Sequence, residues 1–561
     1  MPASADDPDF TIDVAGLRRA IDLLGAYRTR DAASPVVPPS VPALPTILPD
    51  EGLGAAAALE ELAPSTLAGA AHLDAPGFFA HMDPPTPWVS WAATLWAARL
   101  NQNLLHPDTA PIARPLEERA IGWLAPFFGM GGGHLVPGST LATLTALWAA
   151  RDLRGIDEIV ASEAAHLSVR KAAAILGLRH RAIPVDAAGR LRADRMGDLS
   201  RAALVLTAGT TATGAVDPLD AGAGAAWRHI DAAWAGPLRL SPRHAPVLDG
   251  IERADSVAVS AHKWLFQPKE CALVLFAHPD EADEALSFGG GYLATPNVGV
   301  LGSHGAVALP LVATLRAWGR VGVAARIERC MDLADTLARL VAAHDHLELY
   351  APPVTGVVLW RPRHADARAV RDRLRRSVVS LIEVDERTWF RSVAANPLAD
   401  PQLVVADVLT ALTSGACRHD PTAPGKGDAC RHARCSRRPS ARRSPTSPLR
   451  SASASWRATI LYRRTIWPPS SGTGDPITNS ALLWGHFSHS RSRPTDDGDT
   501  VIVARGRGEN NARPTRPQRV DGRNIVSAAR RRRQADRRDR RLHAVSRRAG
   551  LFAEHAVRLR S

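Results

Sequence analysis

Cysteine is scarce in this 561-residue chain: there are five, and only Cys271 and Cys330 fall within the first 412 residues. Two cysteines cannot staple a body of that size. This excludes a disulfide-framework scaffold and suits a reducing compartment, the cytoplasm. No apolar run reaches the length needed to cross a bilayer, so no membrane-spanning helix is expected. The opening residues, Met1-Pro2-Ala3-Ser4-Ala5-Asp6-Asp7, are acidic and lack the basic-then-apolar order of a secretory signal. No internal repeat stands out. Beyond residue 412 arginine almost replaces lysine, and Lys426 stands alone.

Charge divides the chain in two. The overall formal charge of +13 would suggest a nucleic-acid or membrane partner. Residues 413–561, however, hold 32 Lys and Arg against 11 Asp and Glu, leaving 37 against 45 in residues 1–412. The body is therefore an ordinary acidic globular protein with a net charge of −8, and the basicity belongs to the tail. Some 400 residues are ample for a large core and a smaller second domain.

Ser260-Ala261-His262-Lys263-Trp264 follows an apolar run, Ser256-Val257-Ala258-Val259, that reads as a short buried strand. A lysine at the end of a buried strand must be desolvated, paired or covalently used. One chemistry that uses it is that of pyridoxal phosphate, whose aldehyde a lysine amine captures as a Schiff base. A surface lysine beside a half-buried tryptophan would give the same tripeptide. The upstream residues favour the first reading.

Asp231 stands 32 positions earlier, in His229-Ile230-Asp231-Ala232-Ala233. A carboxylate on a strand end followed by small residues can approach a flat ring and keep its pyridine nitrogen protonated. Leu204-Val205-Leu206-Thr207-Ala208-Gly209-Thr210 reads as a strand and then a small-residue turn bearing hydroxyls. His166 is aromatic and can stack on a ring. Pro137-Gly138-Ser139-Thr140 opens a helical run from Leu141 to Arg154, and a helix N-terminus with hydroxyls is an anion site suited to a phosphate.

These five elements, in this order, resemble the group II pyridoxal-phosphate-dependent amino acid decarboxylases, which include the aromatic amino acid, glutamate and 2,4-diaminobutyrate decarboxylases. The resemblance runs from about Leu17 to Leu412. It implies an α/β fold of pyridoxal-phosphate fold type I, the aspartate aminotransferase-like class, with a mostly parallel sheet in the large domain and a small C-terminal α/β domain. It implies Lys263 as the Schiff-base lysine, His262 beside it, Asp231 as the pyridinium partner and His166 as the ring-stacking histidine. Thr207 and Ser260 fall near the ring, and Ser139 with Thr140 at the phosphate. It implies pyridoxal 5′-phosphate as cofactor, no metal, an L-amino acid as substrate with carbon dioxide and an amine as products, and an obligate homodimer. His81 matches a position near the substrate pocket.

The chain departs from the family pattern in places. Ser260 stands where Asn or Asp is usual, Leu141 where a polar residue is usual, and His304 where arginine is usual. Arginine is always charged and bidentate, and neutral histidine is neither. The segment after Tyr292 is short and has no tyrosine in its later half, so Tyr292 is given no catalytic role. Arg391 could meet a substrate carboxylate or sit in a structural salt bridge, and is not counted among the catalytic residues. Aldol cleavage or oxidative deamination on the same cofactor is the alternative chemistry.

Along the chain, residues 1–110 read as an N-terminal wrapping segment. It has an amphipathic helix near Val14–Tyr27, a proline-rich connector from Pro35 to Pro49, an Ala/Leu helix and the loop from Phe79 to Pro85. Residues 111–315 alternate helices with the short apolar strands Glu158–Val160, Leu204–Thr207, Ser256–Ser260 and Ala272–Phe276. That alternation predicts parallel pairing with crossover helices. Residues 316–412 read as the small domain. It has strands at Gly356–Trp360 and Thr388–Ala394, a helix over Asp366–Arg376 and a closing helix over Asp400–Leu412.

Residues 413–561 are rich in Arg, Ser, Pro and Thr, too polar to bury a core, and read as disordered. Two origins fit: GC-rich DNA read in a shifted frame, or a genuine basic extension that contacts nucleic acid. The spacing of Cys417, His419, Cys430, His432 and Cys435 fits no common zinc module.

Overall fold

A computed structural model describes residues 11–27 and 44–416. The described residues all fall within one compact unit. The readings of the tail beyond Ala416, of its Cys/His set and of the first half of the proline-rich connector lie outside the described residues.

The N-terminal part is helical: α1 (Val14–Ala26), α2 (Ala55–Ala68), α3 (Trp88–Leu100) and α4 (Ala113–Leu124). Asp13 caps α1 through a side-chain bond to the Gly16 N–H at 2.9 Å. No residue of α1 is buried. α3 leaves Trp88, Trp91 and Trp96 exposed (72%, 49% and 61%).

A seven-stranded sheet follows. Its strands are β1 (Gly132–Val136), β2 (Glu158–Ser162), β3 (Arg179–Ile183), β4 (Ala202–Thr207), β5 (Trp227–Asp231), β6 (Ser256–Val259) and β7 (Ala272–Phe276). The spatial order is β1-β7-β6-β5-β4-β2-β3. Pairing from β3 through β2, β4 and β5 to β6 is parallel, and β7 pairs antiparallel with both β6 and β1. The sheet is thus mostly parallel, but Ala272–Phe276 runs against the parallel pairing expected of it. The twelve residues that join Val259 to Ala272 form turns and no crossover helix, so the chain reverses and pairs antiparallel.

β4, β6 and β7 are buried on both faces, and their continuous apolar runs reflect this. One face packs on α5 (Ser139–Arg154) and α6 (Leu167–Leu176) through Ala203, Val205, Ala258 and Val274. The other buries Leu204, Leu206, Ile230, Val257 and Leu273 against the rest of the body.

After α7 (Pro279–Leu286) and a two-residue pairing of β8 (Ser287–Phe288) with β9 (Asn297–Val298), the long α8 (Ala308–Ala342) crosses to the C-terminal part. It breaks at Gly319, whose φ of 60° and ψ of −179° lie outside helical space. The expected domain boundary at 315/316 falls inside this helix, just before the break.

The C-terminal part holds β10 (Leu347–Leu349), β11 (Val357–Pro362), α9 (Ala367–Arg371), β12 (Ser380–Val384), β13 (Arg387–Val393) and α10 (Pro401–Ala416). Its four-stranded sheet is wholly antiparallel, in the order β10-β11-β13-β12. The helix expected over Asp366–Arg376 is only α9. Asp366 caps it, but the backbone N–H groups of Arg375, Arg376 and Ser377 turn to the Asp407 carboxylate instead of continuing the helix. α10 continues past the expected end at Leu412 to Ala416.

Candidate active site

The C-terminal ends of β4, β5 and β6 lie side by side. Thr207 is in register with Asp231, and Asp231 with Ala258. Ligands of open α/β sheets gather at such strand ends.

Asp231 is 4% exposed, and one of its oxygens accepts the Ala233 N–H at 3.1 Å. Among the described residues it forms no ion pair. A buried carboxylate without a cation calls for one from a ligand.

Lys263 sits in the turn after β6. Its N–H is bonded to the Ser260 carbonyl, and its own carbonyl accepts the Phe266 N–H at 2.8 Å. Phe266 and Glu270 of this turn both adopt left-handed φ angles, 60° and 69°, that non-glycine residues resist. Burial pulls the Lys263 ammonium below its ordinary pKa, and the Asp231 and Asp83 carboxylates oppose that shift. A partly desolvated amine near Asp231 is a nucleophile in preparation.

His166 caps α6: its Nδ1 accepts the Ser168 N–H at 3.3 Å and lies 2.9 Å from the Ser168 hydroxyl. Its pKa is lowered by burial first, with Asp231 raising it and Lys263 lowering it. The histidine therefore lies within electrostatic reach of Asp231 and Lys263. Thr207 Oγ1 is buried with no hydrogen-bond partner, while the Thr207 backbone is held by Asp217 at 2.8 Å.

Ser139 opens α5, a helix long enough to present a full N-terminal turn, and its hydroxyl lies 2.5 Å from that of Ser260. Thr140 is next on the same turn. Gly138 before it has φ of 95° and space toward the His262 ring, 3.7 Å from an added Cβ. His262 Nδ1 is buried and unpartnered, and burial, with help from Lys269 and Lys263, holds its pKa down to about 4. A neutral histidine, two serines, a threonine and the α5 N-terminus form an anion cradle.

The site residues thus fit pyridoxal phosphate on their own chemistry. They offer a carboxylate lacking a cation, a desolvated lysine, an orphaned threonine hydroxyl and an anion-binding helix end. The turn after β4 is closely packed. Gly209, with φ of 93°, would push a Cβ to within 2.9 Å of the Trp234 ring.

The departures from the family pattern have local explanations. Ser260 completes the hydroxyl pair with Ser139. Leu141 packs against the apolar cluster on one sheet face. His304 is pinned to the 101–106 turn: its N–H reaches Asn103 Oδ1 at 3.3 Å and its carbonyl accepts the Leu104 N–H at 3.0 Å. Tyr292 is 74% exposed.

The sequence leaves Arg391 open between a substrate contact and a structural salt bridge. It is 7% exposed and, among the described residues, has no carboxylate within ion-pair distance, so the salt-bridge reading fails. Its Nε donates to the Thr211 carbonyl at 2.5 Å and a terminal nitrogen lies 3.5 Å from the Ala80 carbonyl. Burial lowers its pKa to about 10. Nothing in the sequence around β13 singles it out, because its isolation depends on two distant loops. His81 is exposed, and burial and Arg391 lower its pKa. The Asp83–Lys269 pair beside it also went unnoticed.

Fold and site together define a pyridoxal-phosphate enzyme of fold type I. Residues 39–363 match the pyridoxal-dependent decarboxylase conserved domain, and the chain belongs to that family. It is 33% identical to an L-2,4-diaminobutyrate decarboxylase of Rhizobium meliloti (strain 1021), over 64% of this chain and 81% of that protein. It is 29% identical to a tyrosine decarboxylase of Oryza sativa subsp. japonica, over 65% and 80% of the two chains. Its fold superposes with a TM-score of 0.66 on the crystal structure of Oryza sativa TDC with PLP and tryptamine, at 24% identity, covering 74% of this chain and 99% of that one. The chain is a pyridoxal-phosphate-dependent amino acid decarboxylase, a carboxy-lyase.

Proposed function

We propose that Lys263 is the residue that holds the cofactor and that Asp231 and His166 complete the catalytic set for decarboxylation of an L-amino acid. The bound cofactor supplies an electron-withdrawing ring that takes up the pair released when carbon dioxide leaves. Asp231 keeps the ring nitrogen protonated by offering the buried negative charge that no protein cation neutralises. His166 fixes the ring plane and, from Nε2, stands ready to move a proton at the substrate Cα. Ser139, Thr140, Ser260 and His262 hold the phosphate at the α5 N-terminus, and Thr207 gives its free hydroxyl to the ring edge. Arg391 orients the substrate carboxylate through a buried guanidinium. Such orientation decides which bond at Cα lies along the ring's acceptor orbitals.

The observation that carries this reading is the buried, unpaired Asp231 carboxylate near a desolvated Lys263 at the ends of adjacent strands. We further propose a cytoplasmic homodimer. The exposed tryptophans of α3 and the unburied α1 support an interface there. No helix among the described residues is long and apolar enough to cross a membrane. The test is product analysis with the purified full chain: carbon dioxide and a primary amine in equal amounts, dependent on Lys263. Aldehyde and ammonia instead of amine would move the chemistry to oxidative deamination.

A further inference from the structure

Lysine occurs in this chain at positions 171, 263, 269 and 426 only. Two of the four stand six residues apart on the turn between β6 and β7. Lys269 forms an ion pair with Asp83, which belongs to the loop from Phe79 to Pro85. The two segments are 186 residues apart in sequence.

Both partners are held in place by backbone. Phe79 and Ala80 are fully buried, and the Phe79 N–H is bonded to the Val378 carbonyl at 3.0 Å. The Ala80 carbonyl accepts the Ser380 hydroxyl at 3.0 Å and lies 3.5 Å from an Arg391 nitrogen. Asp83 follows three residues on, so its backbone lies within about 10 Å of that contact. On the other side, the Gln267 N–H bonds to the Ala261 carbonyl at 3.1 Å, closing the lysine turn. The side chains themselves remain open to water: that of Asp83 is 40% exposed and that of Lys269 60%. An ion pair so exposed is weak and easily exchanged.

Asp83 also lies within electrostatic reach of the site's charged groups. Its carboxylate acts on Lys263, His262, His81 and Arg391, in each case favouring the protonated form. Arg391 is thus a buried cation lacking a carboxylate, and Asp83 is a carboxylate whose only ion-pair partner among the described residues is a primary alkylammonium. A bound phosphate adds about two negative charges to the site and a substrate carboxylate adds another. A second carboxylate on the substrate would worsen that excess, and an ammonium would relieve it.

We infer that Asp83 determines side-chain specificity: its carboxylate receives the terminal ammonium of a diamino acid, and Lys269 occupies that place until the substrate arrives. The inference rests on the proposed function, since it concerns the same site. Lys269 presents the group that the substrate would bring, a primary ammonium on an alkyl stem. The exchange therefore replaces one ion pair at Asp83 by another and returns the Lys269 ammonium, already 60% exposed, to water.

The test uses the full chain loaded with pyridoxal phosphate. Calorimetry measures the affinities of 1,3-diaminopropane and propylamine, the amines that 2,4-diaminobutyrate and 2-aminobutyrate would yield, so the readout does not require turnover. The wild type should prefer the diamine about tenfold, the scale of one charge-assisted hydrogen bond. Asp83→Asn should bring the ratio near one, and Lys269→Met, which removes the competitor, should raise it. An unchanged ratio in Asp83→Asn, no preference in the wild type, or tighter binding of β-alanine than of the diamine would each overturn the assignment. A chain with the diamine preference that releases no amine from any amino acid would instead count against the proposed function and leave the specificity assignment standing.

Discussion

Trp234 and Trp264 stack with ring centroids 4.1 Å apart and planes tilted by 33°. Trp234 follows Asp231 by three residues, and Trp264 follows Lys263 directly. Both indoles reach the C-terminal part: Trp234 Nε1 donates to the Thr355 carbonyl at 2.7 Å and Trp264 Nε1 to the Ala394 carbonyl at 3.1 Å. The two segments that carry Asp231 and Lys263 are therefore tied to each other and to the start of β11 and the end of β13.

Trp264→Phe keeps a ring in the stack but leaves the buried Ala394 carbonyl without its indole donor. The expected loss is about 1–3 kcal/mol. Trp264→Ala also opens a cavity, and about 3–5 kcal/mol is expected. Urea midpoints of the full chain measure both, and wild-type midpoints would refute the role given to the pair.

Lys263→Ala should fold and lose the visible absorbance band that pyridoxal phosphate gives when bound through a lysine. A band of wild-type intensity in this variant would move the attachment elsewhere. Lys171 lies on α6 and Lys269 already pairs with Asp83, so neither is expected to substitute.

Asp231→Ala should retain that band and lose at least about a hundredfold in kcat, the scale seen when one preorganised electrostatic group is removed. Steady-state amine release, measured at saturating cofactor, decides it. A variant within threefold of wild type would mean that the ring nitrogen needs no carboxylate.

Acid sensitivity follows from buried histidines. Burial lowers His134 and His229 from 6.5 to about 4, so both are neutral in the folded chain. In the unfolded chain they take up protons near pH 6.5. The unfolded state thus binds more protons between about pH 6.5 and 4, and stability, full above that window, falls as the pH drops through it. The urea midpoint should decline over this range, and less steeply in His134→Gln. An identical slope in the variant would refute the contribution of His134.

Gly356, with φ of 72°, would place a Cβ 2.8 Å from the Trp264 ring. Gly356→Ala combines an unfavourable left-handed backbone with that clash, so a cost above about 1 kcal/mol is expected. Thermal melting of variant and wild type compares the two directly.

Much of the site could be read from the sequence because its residues are local to strand ends. Lys263 comes shortly after the apolar run Ser256–Val259, which reads as a buried strand, and Ser139 opens a helix with glycine before it. The direction of β7 was not legible, because an apolar run has the same pattern whether it pairs parallel or antiparallel. The early end of α9 was also hidden: Asp407, a remote residue, takes the N–H groups that would have extended it. Arg391 and Asp83 escaped for a related reason. Their significance comes from which charges they do and do not meet, and those neighbours are supplied by segments hundreds of residues away.

The register of Thr207 with Asp231 and of Asp231 with Ala258 has a consequence for how the protein matures. Each of these neighbours is brought in by a loop that must close before the strands can pair, and Arg391 joins from still farther along the chain. Contacts so distant in sequence form slowly and late. A nascent or nicked chain that stops short of β7 has Lys263 and Asp231 but lacks the strand that fixes the lysine turn. With the cofactor held at Lys263 as proposed, its capture would report that β7 has closed the lysine turn, and the colour of the protein would mark that step.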